Sequence, residues 1–317
     1  MALDPVLFNV FVVLASLLII FKAADLVVYG ISRYARKLGL SDILIGLVVV
    51  ALAASMPEII SSLTGLMIGR EEVLFGTILG TNLVHLALVL GVLALVGKRI
   101  RLESEFLGPS IWVLWLALLA PFALMLWDNE LGRVDGVILI ALYVMYLGWL
   151  WHREESSGHL KKRVLLRTIW RDALIFVLSL VAILLAGRWL VFGSINLAAL
   201  AGIPAYFIAL TVLALGGALP DFAVGLRSIM RGHQDVGVGD VLGSVALEFL
   251  FFFGLIGLLN PLAIDAGQII NAVVFLAVAL TLVIFFVQRR TMTWKHGALL
   301  IGLYAVFLAI EIAKLVS

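Results

Sequence analysis

Residues 42–69 read DILIGLVVVALAASMPEIISSLTGLMIG, an apolar run with a proline and a carboxylic acid, Pro57 and Glu58, near its centre. The run is long enough to cross a bilayer, since a spanning helix needs about 20 mainly apolar residues. Proline breaks the hydrogen bonding of a helix and frees the carbonyl four residues earlier, and a carboxylate inside a membrane is rarely without a function. The run therefore predicts a transmembrane segment that carries a polar site.

The composition of the whole chain predicts a membrane protein with many crossings. Of its 317 residues, 64% are hydrophobic and 13% are charged, whereas an average soluble domain has about 25% charged residues. The net charge of +2 gives no reason to expect a nucleic acid partner, and the absence of cysteine excludes disulfides and thiolate metal sites. Residues 1–13 lack a basic segment and contain Asp4, so we expect the first apolar stretch to be retained as a helix.

Apolar segments of spanning length predict ten transmembrane helices. They lie near residues 5–30, 41–69, 73–97, 107–127, 134–151, 172–194, 202–230, 236–259, 267–288 and 296–316. With the N-terminus outside, 17 Lys and Arg residues fall in cytoplasmic connectors and three fall outside. This asymmetry is the one that a correct topology produces. Ten spans then place the C-terminus outside as well.

The proline–acid pair occurs twice, which predicts an internal repeat. Residues 47–86 align without gaps on residues 210–249, at an offset of 163 and with twelve identities, and the second pair is Pro220–Asp221. Each half holds five helices, so the second half must enter the membrane from the opposite side. We expect an all-α integral membrane protein built from two inverted five-helix repeats, an architecture of secondary transporters that bind their substrate near the midplane.

Three segments follow from this organisation. Residues 1–151 form the first repeat, residues 152–171 form a basic cytoplasmic linker, and residues 172–317 form the second repeat. The linker is the longest polar connector and lies at the midpoint of the chain.

Four ionisable side chains are candidates for one central site. Glu58 and Asp221 follow the two prolines, and His85 and Glu248 each lie 27 residues further along. Carboxylates and carbonyls freed by proline are hard oxygen ligands, which suit Ca²⁺ or Na⁺ better than soft metals. The spacing therefore predicts a cation site to which both halves contribute.

The stretches ALAASMPEIISS…GTILGTNLVHLALVLG and ALGGALPDFAVG…GDVLGSVALEFLFFFG resemble the two alpha-repeats of the cation/calcium exchanger superfamily, nearest its sodium/calcium exchanger branch. The resemblance implies a multi-pass protein of the cell inner (plasma) membrane that exports Ca²⁺ in exchange for Na⁺ or H⁺, with inorganic cations and lipid as partners and no cofactor. The residues that it implies for the cation site are the paired acids Glu58 and Asp221, the side chains of Ser55, Thr81, Ser244, His85 and Glu248, and the backbone carbonyls of Ala51 and Ala214.

The chain departs from that family at the same site. The family usually has Thr-Ser before the proline, but this chain has Ala54–Ser55 in the first repeat and Gly217–Ala218 in the second. His85 replaces what is commonly Asn or Asp, and an imidazole is a poor partner for Na⁺ or Ca²⁺. Our hypothesis is that His85 carries a proton or shares one with Glu248, which favours coupling to H⁺.

Other interpretations remain open at this stage. The acids and His85 could be structural, bonded to backbone or to each other. The fold could belong to an exchanger for another cation, to a homologue that does not transport, or to a channel. An intramembrane enzyme is disfavoured because the motifs H-E-x-x-H and G-x-S-x-G are absent. The oligomeric state stays open, and a monomer is compatible with the pattern.

Overall fold

The computed structural model of the chain describes most of the helices and several of the connectors between them. The residues that it describes are 5–38, 45–51, 55, 71–102, 115–124, 130–156, 169–200, 207, 209–263 and 266–316.

The described part is almost entirely helical, as the apolar pattern predicts. Its α-helices are α1 (Pro5–Leu38), α2 (Glu71–Leu83), α3 (Leu90–Gly97), α4 (Trp115–Leu124), α5 (Arg133–Ser156), α6 (Ile169–Leu200), α7 (Ala214–Met230), α8 (Gln234–Ala246), α9 (Phe253–Leu259), α10 (Ala266–Gln288) and α11 (Trp294–Val316). Four π-helical segments lie among them, at Ile45–Val50, Val84–Val89, Ala209–Leu213 and Leu247–Phe252.

Six helices in the described part are long and apolar enough to cross a membrane: Leu74–Gly97, Arg133–His152, Ala209–Met230, Gln234–Leu259, Ile269–Gln288 and Trp294–Lys314. The first and fourth are 83% buried within the protein, whereas the second and sixth are 28% buried. The former therefore form the interior of the bundle, and the latter present apolar side chains outward, as lipid-facing helices do. The chain is a multi-pass helical membrane protein.

Helix boundaries follow the predicted spans most closely where polar residues end the apolar run. The span predicted near 267–288 is α10, which ends at Gln288. By contrast, α1 continues to Leu38 rather than ending near residue 30, because its last turns contain Arg and Lys, which favour helix as well as leucine does. The span predicted near 41–69 falls mostly outside the described residues.

Proline does not end the helix in the second repeat, contrary to our expectation of a broken helix. Helix α7 runs from Ala214 to Met230 with Pro220 inside it, directly after a π-helical segment. A proline ring normally clashes with the carbonyl four residues earlier. Here that residue is Gly216, which is followed by Gly217, and these small residues leave room for the ring.

Four short strands add a feature that the expected all-α fold did not include. Strand β1 (Arg99–Arg101) pairs with β4 (Thr291–Thr293), and β2 (Glu130–Leu131) pairs with β3 (Leu262–Ala263), both antiparallel. These strands lie in the connectors at helix ends, where backbone N–H and C=O groups lack helical partners. Pairing two connectors satisfies those groups.

Glycine contacts between the two halves occur in matched positions. A side chain at Gly80 would overlap the backbone carbonyl of Leu210, and one at Gly243 would overlap that of Leu47. Gly243 lies 163 residues after Gly80, and Leu210 lies 163 residues after Leu47. Helix α2 therefore packs on the π-helical segment of the other half in the same way that α8 packs on the segment Ile45–Val50.

Candidate cation-binding site

His85 lies between two carboxylates in the interior of the bundle. Its Nε2 is 2.9 Å from Oδ2 of Asp221, and its Nδ1 is 3.9 Å from Oε1 of Glu248. All three side chains are 0% exposed. An ionised group at such depth is unfavourable unless it has partners, so this cluster is the principal polar site among the described residues.

The local backbone at His85 and Glu248 is π-helical in both halves. Each residue is the second of a six-residue π-helical segment, Val84–Val89 and Leu247–Phe252, and the two segments are 163 residues apart. A π-helical segment inserts extra backbone into a helix and is frequent at functional sites. The predicted equivalence of His85 and Glu248 in sequence is thus matched by an equivalent backbone. The sequence pattern did not predict the π-helical form.

Both carboxylates accept hydrogen bonds. Asp221 Oδ1 accepts a long bond from the Ser244 hydroxyl at 3.4 Å, while its other oxygen faces His85. Glu248 Oε2 accepts a short bond of 2.7 Å from the side-chain amide of Asn82. These bonds orient the carboxylates and offset the cost of removing them from water.

Asn82 is a site residue that the sequence analysis missed. It is 0% exposed, and its Nδ2 donates both to Glu248 and to the backbone carbonyl of Ile78 at 2.8 Å. The signal was present: Asn82 is an amide three residues before His85 in an apolar helix, so the two share a face. It was overlooked because the comparison between repeats emphasised positions that are polar in both.

The predicted hydroxyl and carbonyl ligands are all buried. Ser55 and Thr81 are 0% exposed, and their hydroxyls have no hydrogen-bond partner within the described part of the chain. Ala51 and Ala214 are also buried, and the Ala51 carbonyl accepts the backbone N–H of Ser55 at 3.0 Å. These positions suit oxygen ligands, and their assignment as ligands stays a prediction.

Glu58, the first of the predicted paired acids, lies outside the described residues. Its pairing with Asp221 therefore stays a prediction. Within the ranges that the structure describes, no three His, Asp or Glu side chains form a group able to hold a metal ion. The Nε2 atom of His85 already lies within hydrogen-bonding distance of the Asp221 carboxylate there.

One known protein family matches nearly the whole chain. The model of the family described as "Sodium/calcium exchanger protein" matches residues 8–152 and 172–313. The chain belongs to the sodium/calcium exchanger family. The resemblance drawn from the two repeats is thereby confirmed. Members of this family are transporters, so the prediction that the chain is an ion antiporter and not an enzyme is confirmed too.

Several relatives of this exchanger cover most of its length. The putative antiporter CaxA of Alkalimonas amylolytica is 31% identical over 80% of this chain and 82% of its own. The inner membrane protein YrbG of Escherichia coli is 28% identical over 80% of each chain. The sodium/calcium exchanger MaX1 of Methanosarcina acetivorans is 25% identical over 95% of this chain and 98% of its own.

Solved structures of the sodium–calcium exchanger NCX_Mj have the same fold. One of them superposes with a TM-score of 0.82 at 24% identity and covers 96% of this chain and 98% of its own. At that identity the match establishes the fold alone. The chain thus has the helical fold of a membrane exchanger.

The two small residues Gly217 and Ala218, which precede Pro220, carry no oxygen on their side chains. Gly217 and Ala218 occupy the positions before Pro220 where the family usually has hydroxyls, and both are buried. Ala218 lines an apolar pocket of about 170 Å³ together with Val84, Leu215 and Phe222. Neither of these two side chains offers an oxygen to a hard cation.

Proposed function

We propose that this exchanger exports Ca²⁺ from the cytosol in exchange for Na⁺ or H⁺, by alternating access around one central site. The observation that carries the proposal is the fully buried cluster of Asp221, His85 and Glu248 in a member of an exchanger family. Buried acids in a membrane protein are functional by default. Oxygen ligands of this kind suit Ca²⁺, which prefers carboxylates, hydroxyls and carbonyls.

The proposed architecture is two inverted five-helix repeats, residues 1–151 and 172–317, with both termini outside and the linker 152–171 in the cytosol. The reciprocal glycine contacts and the π-helical segments at a constant offset of 163 support a two-fold relation between the halves. Each strand pair joins two connectors to which the charge asymmetry assigns the same side. The proposed location is the cell inner (plasma) membrane.

The proposed ligands follow from the chemistry of the buried residues. Glu58 and Asp221 supply the two negative charges that balance one Ca²⁺, and Glu248 lies close to the same histidine, His85, as Asp221. Ser55, Thr81 and Ser244 supply hydroxyls, and the carbonyls of Ala51 and Ala214 complete the oxygen set. This ligand assignment is supported by the burial of every described member of the set.

One observation favours H⁺ as the counter-ion. The 2.9 Å separation of His85 Nε2 and Asp221 Oδ2 requires a proton between the two atoms. That N–H takes a carboxylate oxygen that a cation needs, so cation binding and this hydrogen bond exclude each other. The exchange of a proton on His85 for a cation on Asp221 would couple the two movements in one site.

The test is ⁴⁵Ca²⁺ uptake into proteoliposomes that contain the purified protein, under a Na⁺ gradient and an H⁺ gradient applied separately. We expect uptake under at least one gradient. Asp221→Asn should reduce it at least about 100-fold, since an uncompensated change in a buried charge pair costs about 3–5 kcal/mol. The control is Glu311→Gln, because Glu311 is a buried acid that bonds Asn271 and Lys314 instead.

Four results would contradict the proposal or a part of it. Uptake that neither gradient drives, or uptake that is equal in Asp221→Asn and the Glu311→Gln control, excludes Ca²⁺ exchange at this site. Uptake that only Na⁺ drives, with no response to an H⁺ gradient, excludes the role of His85 in coupling while leaving the exchanger intact. Flux that continues down the Ca²⁺ gradient without any counter-ion indicates a channel.

A further inference from the structure

The side chain of Asn82 joins the two halves of the protein at the site. Its Nδ2 lies 2.7 Å from Glu248 Oε2 and 2.8 Å from the Ile78 carbonyl oxygen, and both of these atoms are acceptors. The amide nitrogen therefore faces them with its two N–H groups fully used. The bond to Ile78, four residues earlier, fixes the amide to its own helix, so the carboxylate of Glu248 meets a donor that is already held in place.

Only the first half has an amide side chain at this position. The residue 163 positions after Asn82 is Val245, whose buried side chain cannot donate a hydrogen bond. The first half thus supplies the amide donor of Asn82 and, about one helical turn further along, the imidazole of His85. Within the described residues, the carboxylates that they face, Asp221 and Glu248, come from the second half.

We propose that Asn82 is a positioning residue for Glu248, which holds one carboxylate oxygen so that the other stays turned toward His85 and the cation site. The proposal deepens the proposed function, on which it rests, because Glu248 is taken to act on the transported cation. Asn82 acts through Glu248 and not through a contact of its own with the cation.

The physical reason is the orientation of a ligand before binding. With Oε2 held by Asn82, Oε1 of Glu248 lies 3.9 Å from the ring of His85. Without the amide, the carboxylate can rotate, and binding a cation must then also order it. Removing a partner that orients a metal ligand typically lowers metal affinity about 10–100-fold.

The first test observes the carboxylate directly by infrared spectroscopy and does not depend on transport. The difference between the spectra of the wild-type protein and Glu248→Gln identifies the carboxyl band of Glu248. We expect this band to shift in Asn82→Val. An unchanged band in Asn82→Val overturns the proposal, whatever the protein transports.

The control for this test is Asn9→Val. Asn9 also donates to the carbonyl four residues earlier, at 2.7 Å from Pro5, and it joins the other half through Asn196 at 3.3 Å. Neither of these bonds involves a carboxylate, so its replacement removes the same kinds of contact without touching Glu248. We expect the Glu248 band to stay in place in Asn9→Val, and a shift there of the same size would mean that any loosened contact between the halves moves the band.

The second test is a double-mutant cycle in proteoliposomes, with the Ca²⁺ concentration for half-maximal uptake as the readout. Asn82→Val should raise that concentration about 10–100-fold in the wild-type background. In a Glu248→Ala background the same substitution should change it less than about twofold, because a residue that acts only through the side chain at position 248 has nothing left to position. Equal factors in both backgrounds overturn the proposal and indicate a merely structural role.

The two tests separate the failure of this inference from the failure of the proposed function. A shifted Glu248 band together with no Ca²⁺ uptake under any gradient means that Asn82 positions Glu248 in a protein that does not exchange Ca²⁺. Normal Ca²⁺ exchange together with an unshifted band means that the exchanger is correct and the role of Asn82 is wrong.

Discussion

Residues 71–97 and 234–259 are two versions of one backbone with different chemistry. Each consists of an α-helix, a six-residue π-helical segment and a second α-helix, and the π-helical segments start 163 residues apart at Val84 and Leu247. The polar residues differ. The first stretch carries Asn82, an N–H donor, and His85, whereas the second carries Val245 and the acceptor Glu248 at the equivalent positions.

The difference shows which property each half must keep. Backbone shape is shared because each helix approaches a carbonyl of the other half through a glycine, Gly80 or Gly243, and a side chain there has no room. Charge is not shared, since a further acid in place of His85 would add a like charge beside Asp221 and Glu248, where repulsion disfavours ionisation. Because a donor in one half faces an acceptor in the other, hydrogen bonds join the two halves in the interior. Two halves with identical side chains at these positions would lack such bonds.

The largest expected effect comes from exchanging His85 and Glu248, which occupy equivalent positions in the two halves. His85→Glu and Glu248→His should each reduce Ca²⁺ uptake about 10–100-fold, because the first changes a partner of the proposed ligand Asp221 and the second removes the proposed ligand Glu248. The double exchange should recover uptake at least about tenfold above His85→Glu alone, since it restores one imidazole and the original charge. The measurement is initial ⁴⁵Ca²⁺ uptake per reconstituted protein. A double exchange no better than the poorer single variant would mean that the two positions are not equivalent.

The next effect concerns the shared backbone. Gly80→Ala and Gly243→Ala should each destabilise the protein by about 1–3 kcal/mol, as overpacking in a close contact does, and by similar amounts in the two halves. Gly302→Ala is the control, because a side chain there meets no atom within 4 Å. Thermal unfolding of the purified protein in detergent measures all three. A Gly243 variant as stable as the control, beside an unstable Gly80 variant, would show that the two contacts are not alike.

The smallest effect separates two equivalent hydroxyls. Ser244→Ala should lower stability without Ca²⁺ by about 0.5 kcal/mol, because its 3.4 Å bond to Asp221 is long and weak. Thr81→Val should not lower it, because within the described residues the Thr81 hydroxyl has no partner to lose. If both oxygens bind the cation, both variants should raise the half-maximal Ca²⁺ concentration about two- to threefold. Melting curves and uptake titrations on the same preparations compare them.

Much of the fold and part of the site could be predicted because they depend on local pattern. Helix α10 begins and ends within one residue of its predicted span, since a bilayer demands a fixed length of apolar sequence. The equal spacing of His85 and Glu248 from the two proline–acid pairs predicted that they occupy equivalent positions. Both are buried at the second position of a π-helical segment. The sequence comparison missed Asn82 because the equivalent residue in the other half is the apolar Val245.

The amino-acid sequence by itself determined that the chain crosses the membrane repeatedly and that its two halves are related, and it identified the family through the proline–acid repeats. Tertiary structure alone decided which nitrogen faces which oxygen, as in His85 with Asp221 and Asn82 with Glu248. It also decided the π-helical segments, the paired connectors and the uninterrupted helix at Pro220. The physical reason is the separation along the chain of the residues involved. Hydropathy and periodicity are properties of one helix. The contacts between helices join residues more than 130 positions apart, and they depend on how closely the helices pack.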